Sequence, residues 1–119
     1  MVQSNNKDSK AYLLLIMDAI AKIKNFTNGL TFEVFSKDNK TQSAVIMQLQ
    51  VIGELAKKVP DEIKTGIPIP WKNMAGFRDM ISHDYFGLDL ETVWHTVEKS
   101  IIDAEAELQK YIESSKAPE

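Results

Sequence analysis

Residues 89–111 of this chain read DLETVWHTVEKSIIDAEAELQKY, and the spacing within them decides the fold class. Apolar side chains recur every three or four residues over three heptads, which places them on one face of an α-helix. Asp89, just before the first of them, is a residue type that caps helix N-termini. We therefore predict one long amphipathic helix, with an apolar face formed by Leu90, Val93, Trp94, Val97, Ile101, Ala104, Leu108 and Tyr111.

Three more amphipathic helices are predicted upstream of this one. The first spans residues 9–26. The second spans residues 39–59, and Asn39 followed by Gln42 at its start resembles a capping box. The third begins at Trp71, directly after a segment rich in proline and glycine.

The connections between these helices are short. Residues 31–37 predict one short helical turn. Residues 61–70 predict a rigid connector, because a proline disfavours helical geometry in the residue before it. Short connections between amphipathic helices favour antiparallel neighbours. The predicted fold is therefore all-α, an antiparallel four-helix bundle with short extra helical turns.

The first predicted helix, capped by Ser9, carries a wider apolar stripe than one core requires. Leu13, Leu14 and Met17 extend that stripe sideways. Surplus apolar surface of this kind favours a homodimer, in which the same patch of each copy pairs with itself. The residues predicted to face the core are Tyr12, Leu15, Ile16, Ala19, Ile20 and Ile23.

A glycine interrupts the second predicted helix at position 53. Glycine in a helix interior costs roughly 1 kcal/mol relative to alanine, so Gly53 predicts the close approach of another backbone. The neighbouring Glu54 is interpreted first as a solvated side chain. Reach into a cleft near a helix crossing is the alternative.

Size and composition limit the classes of protein that fit. The 119 residues suit a single domain over 1–119, with frayed ends at 1–8 and 115–119. The formal net charge of −3 is the wrong sign for holding nucleic acid by bulk electrostatics, so any phosphate contact must be local. Cysteine is absent, which excludes disulfides and thiolate metal sites. We expect a soluble cytoplasmic protein that needs no membrane.

The stretch FRDMISHDYF, residues 77–86, contains the single arginine of a chain with thirteen lysines. On a regular helix Arg78 and Tyr85 lie about 20° apart, whereas Arg78 and His83 lie about 140° apart. Asp79 and His83 stack on another face, one turn apart. Two routes bring the arginine and the histidine to one substrate atom. Either the helix ends or bends near His83, or a second copy supplies the missing partner across a dimer interface.

The pattern R-x-x-x-x-H-x-Y, formed by Arg78, His83 and Tyr85, resembles the signature of the HepT-like toxins of the HEPN superfamily. Asp79 stands where many relatives carry asparagine. The resemblance extends over nearly the whole chain, through YLLLIMDAIAKI (12–23), TQSAVIMQLQVIGELAKKVP (41–60) and IPWKNMAGFRDMISHDYFGLDLETVW (69–94).

The resemblance implies an all-α homodimer with a metal-independent ribonuclease cleft at its interface, acting on mRNA or tRNA and needing no cofactor. It also implies a cognate minimal nucleotidyltransferase as antitoxin, which blocks the toxin by transferring AMP to Tyr85.

The residue types suit that chemistry. Histidine is the side-chain type suited to proton transfer at neutral pH, so His83 is the candidate for that role. Arg78 is the candidate clamp for the negative charge that develops on the phosphate. Asp79 is expected to accept the imidazole N–H of His83, while Tyr85 and Ser82 position phosphate or base. No metal is predicted, because Asp79 and His83 alone supply two ligands without a third.

A different function stays open beside the enzyme: a non-catalytic HEPN binding module that docks a nucleotidyltransferase or a nucleotide. The acidic pI and the scarcity of arginine favour this alternative. Several side chains are assigned structural roles. Trp71 and Trp94 are predicted to be core or interface anchors, and His95 a surface residue. A solvated face is favoured over an RNA path for Lys57, Lys58 and Lys72.

Overall fold

The computed structural model describes residues 6–115, and every regular element among them is helical. The all-α prediction is therefore confirmed for this part of the chain. The elements are α1 (Asn6–Thr27), α2 (Phe32–Phe35), α3 (Asn39–Lys58), α4 (Asp61–Lys64), α5 (Trp71–His83), a 3₁₀ turn (Tyr85–Gly87), α6 (Leu90–His95), a π-helical segment (Thr96–Ser100) and α7 (Ile101–Ser114). The predicted fraying of the ends falls mostly outside residues 6–115 and stays a prediction.

Helix α1 begins at Asn6, so the prediction that Ser9 caps it is wrong. Ser9 is buried inside the helix, on the same face as Leu13, Ile16 and Ile20. These four positions follow the spacing of a helical stripe, and a small serine continues that stripe toward the N-terminus. The helix therefore extends one turn further than the cap prediction allows.

The core face of α1 also differs from its predicted composition. Leu13 is buried, whereas Leu15, which was assigned to the core, is 51% exposed. The reason is geometric, since Leu15 lies about 200° around the helix from Leu13 and the buried stripe is centred on the side of Leu13. The surplus apolar surface is real, and it consists of Leu14 and Leu15.

Helix α3 starts at the predicted residue but has a different cap. Asp38, and not Asn39, is the N-cap, and its carboxylate accepts hydrogen bonds from the backbone N–H of Thr41 (3.0 Å) and the Thr41 hydroxyl (2.6 Å). The Gln42 side chain donates to the carbonyl of Phe35 at 2.8 Å, so it does not complete a capping box. A carboxylate one residue earlier satisfies the free N–H groups of the first turn.

The connector over residues 61–70 contains a feature that was not predicted, the single turn of α4 (Asp61–Lys64). Proline suits the start of that turn, since Pro60 at its N-cap has a φ of −65°. The end of the connector is fixed by Trp71, whose indole N–H donates to the Ile67 carbonyl at 3.0 Å. Ile67 itself is buried, so the connector is anchored in the core at both residues.

The long C-terminal helix is confirmed as a continuous helical run from Leu90 to Ser114, but its middle is π-helical. Asp89 caps it as predicted, accepting from the backbone N–H of Glu91 at 3.1 Å. Within the run, the hydroxyl of Thr96 donates to the Thr92 carbonyl at 2.9 Å. The same carbonyl also accepts the backbone N–H of Thr96, so the hydroxyl bond adds to the helical bond there and does not displace it.

Packing of the helices places α3 between α1 and α5, while α1 also contacts α7. Trp94 of α6 is a core anchor, as predicted, with its ring centroid 4.9 Å from that of Phe35. The antiparallel bundle arrangement and the homodimer stay predictions. No helix within residues 6–115 is long and apolar enough to cross a membrane.

At the crossing of α3 and α5, Gly53 lets the backbones of the two helices approach closely. A Cβ on Gly53 would lie 2.7 Å from the backbone nitrogen of Arg78 and 3.0 Å from the Met74 carbonyl oxygen. Both are backbone atoms that cannot turn aside, so only glycine fits this position without moving a helix. The predicted close approach at Gly53 is confirmed, and it occurs at the arginine of the sequence motif.

We expect the substitution Gly53→Ala to lower the free energy of unfolding by about 1–3 kcal/mol, because overpacking a helix crossing forces the two backbones apart. Gly76→Ala in α5 is the matched control, since a Cβ there meets no atom within 4 Å. It should raise the free energy of unfolding by about 0.5–1 kcal/mol. Urea unfolding at one fixed protein concentration measures both. Equal effects of the two substitutions would contradict the close crossing.

Candidate active site

Arg78 lies in the middle of α5, where the backbone of this helix touches α3. Its side chain is 42% exposed and extends along the crossing. The guanidinium Nε lies 2.7 Å from the Glu54 carboxylate oxygen Oε1. The single arginine of the chain is therefore held in place at one edge, while part of it remains in contact with solvent.

Glu54 pairs with Arg78 across the helix crossing, a contact that was not predicted. It was taken first as a solvated side chain, with reach into a cleft as the alternative. The side chain is 49% exposed, and reach into a cleft stays a prediction. Its position follows from Gly53, because the residue after a crossing glycine starts close to the opposite helix. That glycine is the signal from which the Glu54 contact could have been predicted.

Asp79 forms ion pairs with Lys57 and Arg78. Its Oδ1 lies 2.8 Å from the Lys57 amine and 3.5 Å from Nη1 of Arg78. The hydrogen bond from Lys57 lowers the pKa of the Asp79 carboxyl, and the positive charges of Lys57 and Arg78 act in the same direction. Lys57, favoured as part of a solvated face, is thus half of a pair that joins α3 to α5.

The predicted hydrogen bond from His83 to Asp79 is not among those found within residues 6–115. Asp79 faces Lys57 across the α3–α5 contact, which accounts for its different partners. The role of Asp79 in supporting the imidazole of His83 stays a prediction.

His83 is the last residue of α5, and its side chain is exposed. The chain leaves helical geometry at Asp84, which has a φ of −149° and a ψ of 63°. The helix therefore ends at the histidine, but Arg78 and His83 both lie within α5, so this end does not by itself bring the two side chains to one substrate atom. Ser82 is also exposed, in the same last turn.

Tyr85 does not continue the helix, so its expected position about 20° from Arg78 on a regular helix is wrong. It begins the 3₁₀ turn Tyr85–Gly87, which the bond from Gly87 N–H to the Asp84 carbonyl closes at 3.1 Å. A Cβ on Gly87 would overlap the Asp84 carboxylate, which is the end of a flexible side chain and can turn away, so the turn does not depend on glycine.

Two aromatic side chains project from this turn. Tyr85 is 43% exposed and Phe86 is 97% exposed. Their rings meet edge to face, with centroids 5.3 Å apart and an interplanar angle of 87°. The phenol of Tyr85 is therefore accessible beside the end of α5, next to the histidine.

Together these residues form an electrostatically balanced cluster. Glu54 and Asp79 carry two negative charges, and Arg78 and Lys57 carry two positive charges. The guanidinium still has N–H donors that Glu54 does not engage, and the imidazole of His83 lies exposed one to two turns further along the same helix. An anion clamp and an imidazole that can transfer a proton are the parts that phosphodiester chemistry uses.

A metal site is not apparent in the part of the chain that the structure describes. Residues 6–115 contain no group of three or more histidine, cysteine, aspartate or glutamate side chains arranged to hold a metal ion. His95 and Glu91 are both exposed, on α6.

Comparison with known proteins gives a consistent result. The family model described as "Ribonuclease HepT-like" matches residues 16–113, a range that includes Arg78, His83 and Tyr85. No solved structure gave a match.

Two similar proteins come from archaea. "Probable ribonuclease HepT" of Thermococcus cleftensis is 42% identical over 105 residues, which cover 87% of this chain and 96% of that protein. "Putative RNase MJ0127" of Methanocaldococcus jannaschii is 41% identical over 107 residues, which cover 89% of this chain and 88% of that protein. Since the family model spans most of the chain and these similarities extend along nearly its whole length, the chain belongs to the HepT-like ribonuclease family of HEPN proteins.

Proposed function

We propose that this protein is a metal-independent ribonuclease whose active site is completed when two copies pair. The observation that carries the proposal is the placement of Arg78 and His83, the two chemically competent residues of the family motif, at accessible positions on one helix. Family membership supports ribonuclease activity, and the ribonuclease names of the two archaeal relatives agree with it.

The reaction follows from the two side chains. The 2′-hydroxyl of RNA attacks the adjacent phosphorus, the new 2′-O–P bond forms, and the bond to the 5′-oxygen breaks. The imidazole of His83 transfers a proton, either from the 2′-hydroxyl or to the leaving 5′-oxygen. The guanidinium of Arg78 stabilises the negative charge on the phosphorane oxygens. The expected products are a 2′,3′-cyclic phosphate and a 5′-hydroxyl.

A homodimer would combine the arginine and the histidine, which lie apart in one subunit. In one subunit Arg78 lies at the α3–α5 crossing and His83 at the far end of α5. An isologous dimer would bring two copies of this helix together and place both residue types around one cleft. Large exposed apolar side chains support self-association, since such surface is usually covered. They include Leu14, Leu15, Met47, Met80 and Phe86.

The fold we propose for each subunit is an antiparallel four-helix bundle of the HEPN type. Its four members would be α1, α3, α5 and the continuous run from Leu90 to Ser114. The contacts of α1 with α3 and α7, and of α3 with α5, support this arrangement.

The biological role we propose is that of a cytoplasmic toxin paired with a minimal nucleotidyltransferase antitoxin. The antitoxin would transfer AMP from ATP to the Tyr85 hydroxyl, forming a P–O bond and releasing pyrophosphate. The exposure of the Tyr85 ring supports access by a second enzyme. A phosphodiester at this position would add negative charge next to the histidine and obstruct the approach of RNA.

We expect purified protein to cleave total RNA or tRNA in the presence of EDTA. His83→Ala and Arg78→Ala should each reduce the rate by about 10²-fold or more, which is the usual contribution of proton transfer or of an oxyanion donor. Arg78→Lys should also lose activity, because lysine keeps the charge but not the bidentate geometry. The RNA fragments should end in 2′,3′-cyclic phosphate, as mass spectrometry of the products measures.

The matched control for that experiment is His95→Ala, which removes the other histidine of the chain from an exposed position on α6 and should leave cleavage unchanged. If the wild type cuts nothing that the His83→Ala and Arg78→Ala variants leave intact, the enzyme proposal fails. The rival interpretation, a non-catalytic module that docks a nucleotidyltransferase or a nucleotide, would then remain.

Coexpression with a minimal nucleotidyltransferase antitoxin should add the mass of one or more AMP groups, measured on the intact protein. The adduct should be absent from Tyr85→Phe, because the substitution removes the acceptor oxygen and keeps the ring. Tyr111→Phe, which alters a half-buried tyrosine in α7, is the control and should be modified normally. An adduct that persists in Tyr85→Phe would exclude Tyr85 as the only acceptor.

A further inference from the structure

The orientation of the Arg78 guanidinium is set by a residue outside the sequence motif. A guanidinium offers five N–H donors, and the Nη1 and Nη2 groups at its end form the edge that matches two phosphate oxygens. In the structure the Nε position is taken by Glu54 Oε1 at 2.7 Å. This ion pair lies at the side of the guanidinium and leaves the Nη1–Nη2 end available.

We propose that Glu54 is a positioning residue, whose ion pair with Nε of Arg78 presents the Nη1–Nη2 edge to an anionic ligand. This inference rests on the proposed function, since the anion would be the scissile phosphate of RNA. It assigns to Glu54 a part in the site that the Arg78, His83 and Tyr85 motif does not include.

The helix crossing makes such positioning effective. Gly53 brings the backbone of α3 against that of Arg78, and Glu54 follows it directly. Both partners of the ion pair therefore start from backbones that touch. An unrestrained arginine loses rotamer entropy when it binds a ligand, and a side chain already fixed in its bound orientation loses less.

Lys57 and Asp79 contribute to the same result. Asp79 is the other carboxylate beside Arg78, and without a partner it would compete with a phosphate for the Nη groups. Lys57 binds its Oδ1 at 2.8 Å, which leaves Nη1 of Arg78 at 3.5 Å from the same atom. That separation is longer than a strong charge-assisted hydrogen bond. The end of the guanidinium is thus only weakly engaged.

The opposite role for Glu54 makes a different prediction. If the carboxylate sequestered Arg78 from RNA, its removal would free the arginine and increase phosphate binding and cleavage. If Glu54 positions Arg78, its removal lowers both. Glutamine separates charge from shape, because its amide oxygen still offers an acceptor of similar size beside Nε while the negative charge is gone.

The test uses the fact that Arg78 is the only arginine of the chain. In ¹⁵N-labelled protein the Nε–H group gives a single assignable NMR signal, and its hydrogen exchange with water reports how far Glu54 shields it. We expect exchange to become about threefold to fivefold faster in Glu54→Ala, as loss of an exposed ion pair implies. Glu54→Gln should retain most of the protection. Glu98→Ala makes the same change of net charge at an exposed position and should match the wild type.

A second measurement on the same samples tests whether the ion pair between Glu54 and Arg78 affects ligand binding. Titration with inorganic phosphate should shift the guanidinium signals of the wild type and of Glu54→Gln, with an affinity about tenfold weaker in Glu54→Ala. On RNA, Glu54→Ala should lose about tenfold in kcat/KM, with substantial recovery in Glu54→Gln. Circular dichroism of each variant shows that it is folded.

The outcomes separate this inference from the proposed function. Unchanged Nε–H exchange in Glu54→Ala, or tighter phosphate binding and faster cleavage, would overturn the positioning role. A wild type that cleaves no RNA would instead overturn the ribonuclease proposal. The exchange and phosphate results would still decide whether Glu54 orients Arg78 toward anions.

Discussion

The contact between α3 and α5 at Gly53 is the constraint on which the rest of the candidate site depends. A Cβ at this position would lie 2.7 Å from the backbone nitrogen of Arg78, so glycine sets the separation of the two helices. The ion pairs Glu54–Arg78 and Lys57–Asp79 both bridge these helices, within one turn of the crossing. Packing, charge balance and the orientation of the arginine therefore have one geometric origin.

An acidic chain can still bind RNA if its positive charge is placed locally. The net charge of −3 opposes attraction over long distances, and the cluster around Arg78 is itself balanced by two carboxylates. What remains available is a guanidinium edge and the exposed imidazole at the end of α5. Recognition under these conditions depends on geometry at one phosphate rather than on a basic surface, which agrees with a cleft formed between two subunits.

Features that depend on local sequence were predictable, and features that depend on another helix were less so. The long C-terminal helix and its Asp89 cap follow from spacing and residue type, and both were predicted correctly. Gly53 predicted the close approach of another backbone, but it did not predict which helix would supply that backbone. Leu15 was assigned to the core and is exposed, whereas Leu13 was assigned to the surplus surface and is buried. A wide stripe of leucines does not reveal which of its sides packs against the core. The π-helical segment Thr96–Ser100 was not predicted, because apolar spacing does not encode the register of the backbone hydrogen bonds.

The residues of the candidate site also differ in how far the local sequence predicts them. Arg78, His83 and Tyr85 were found from a linear motif, and the structure adds that Tyr85 lies in a turn beyond the helix. Glu54 and Lys57 are distant in sequence from Arg78 and Asp79, so only the packed helices reveal their pairing. The role of Asp79 beside His83, and the meeting of two subunits, depend on contacts that residues 6–115 of one chain do not contain.

The central claim is that one copy contributes the guanidinium and another the imidazole of a shared cleft. Subunits carrying Arg78→Ala and subunits carrying His83→Ala, with different affinity tags, are coexpressed, and the mixed dimers are purified through both tags. Each mixed dimer retains one intact Arg78 and one intact His83 on different chains. The account predicts that mixed dimers regain RNA cleavage that both parent variants lack. Mixed dimers as inactive as their parents, or the absence of any dimer, would contradict it.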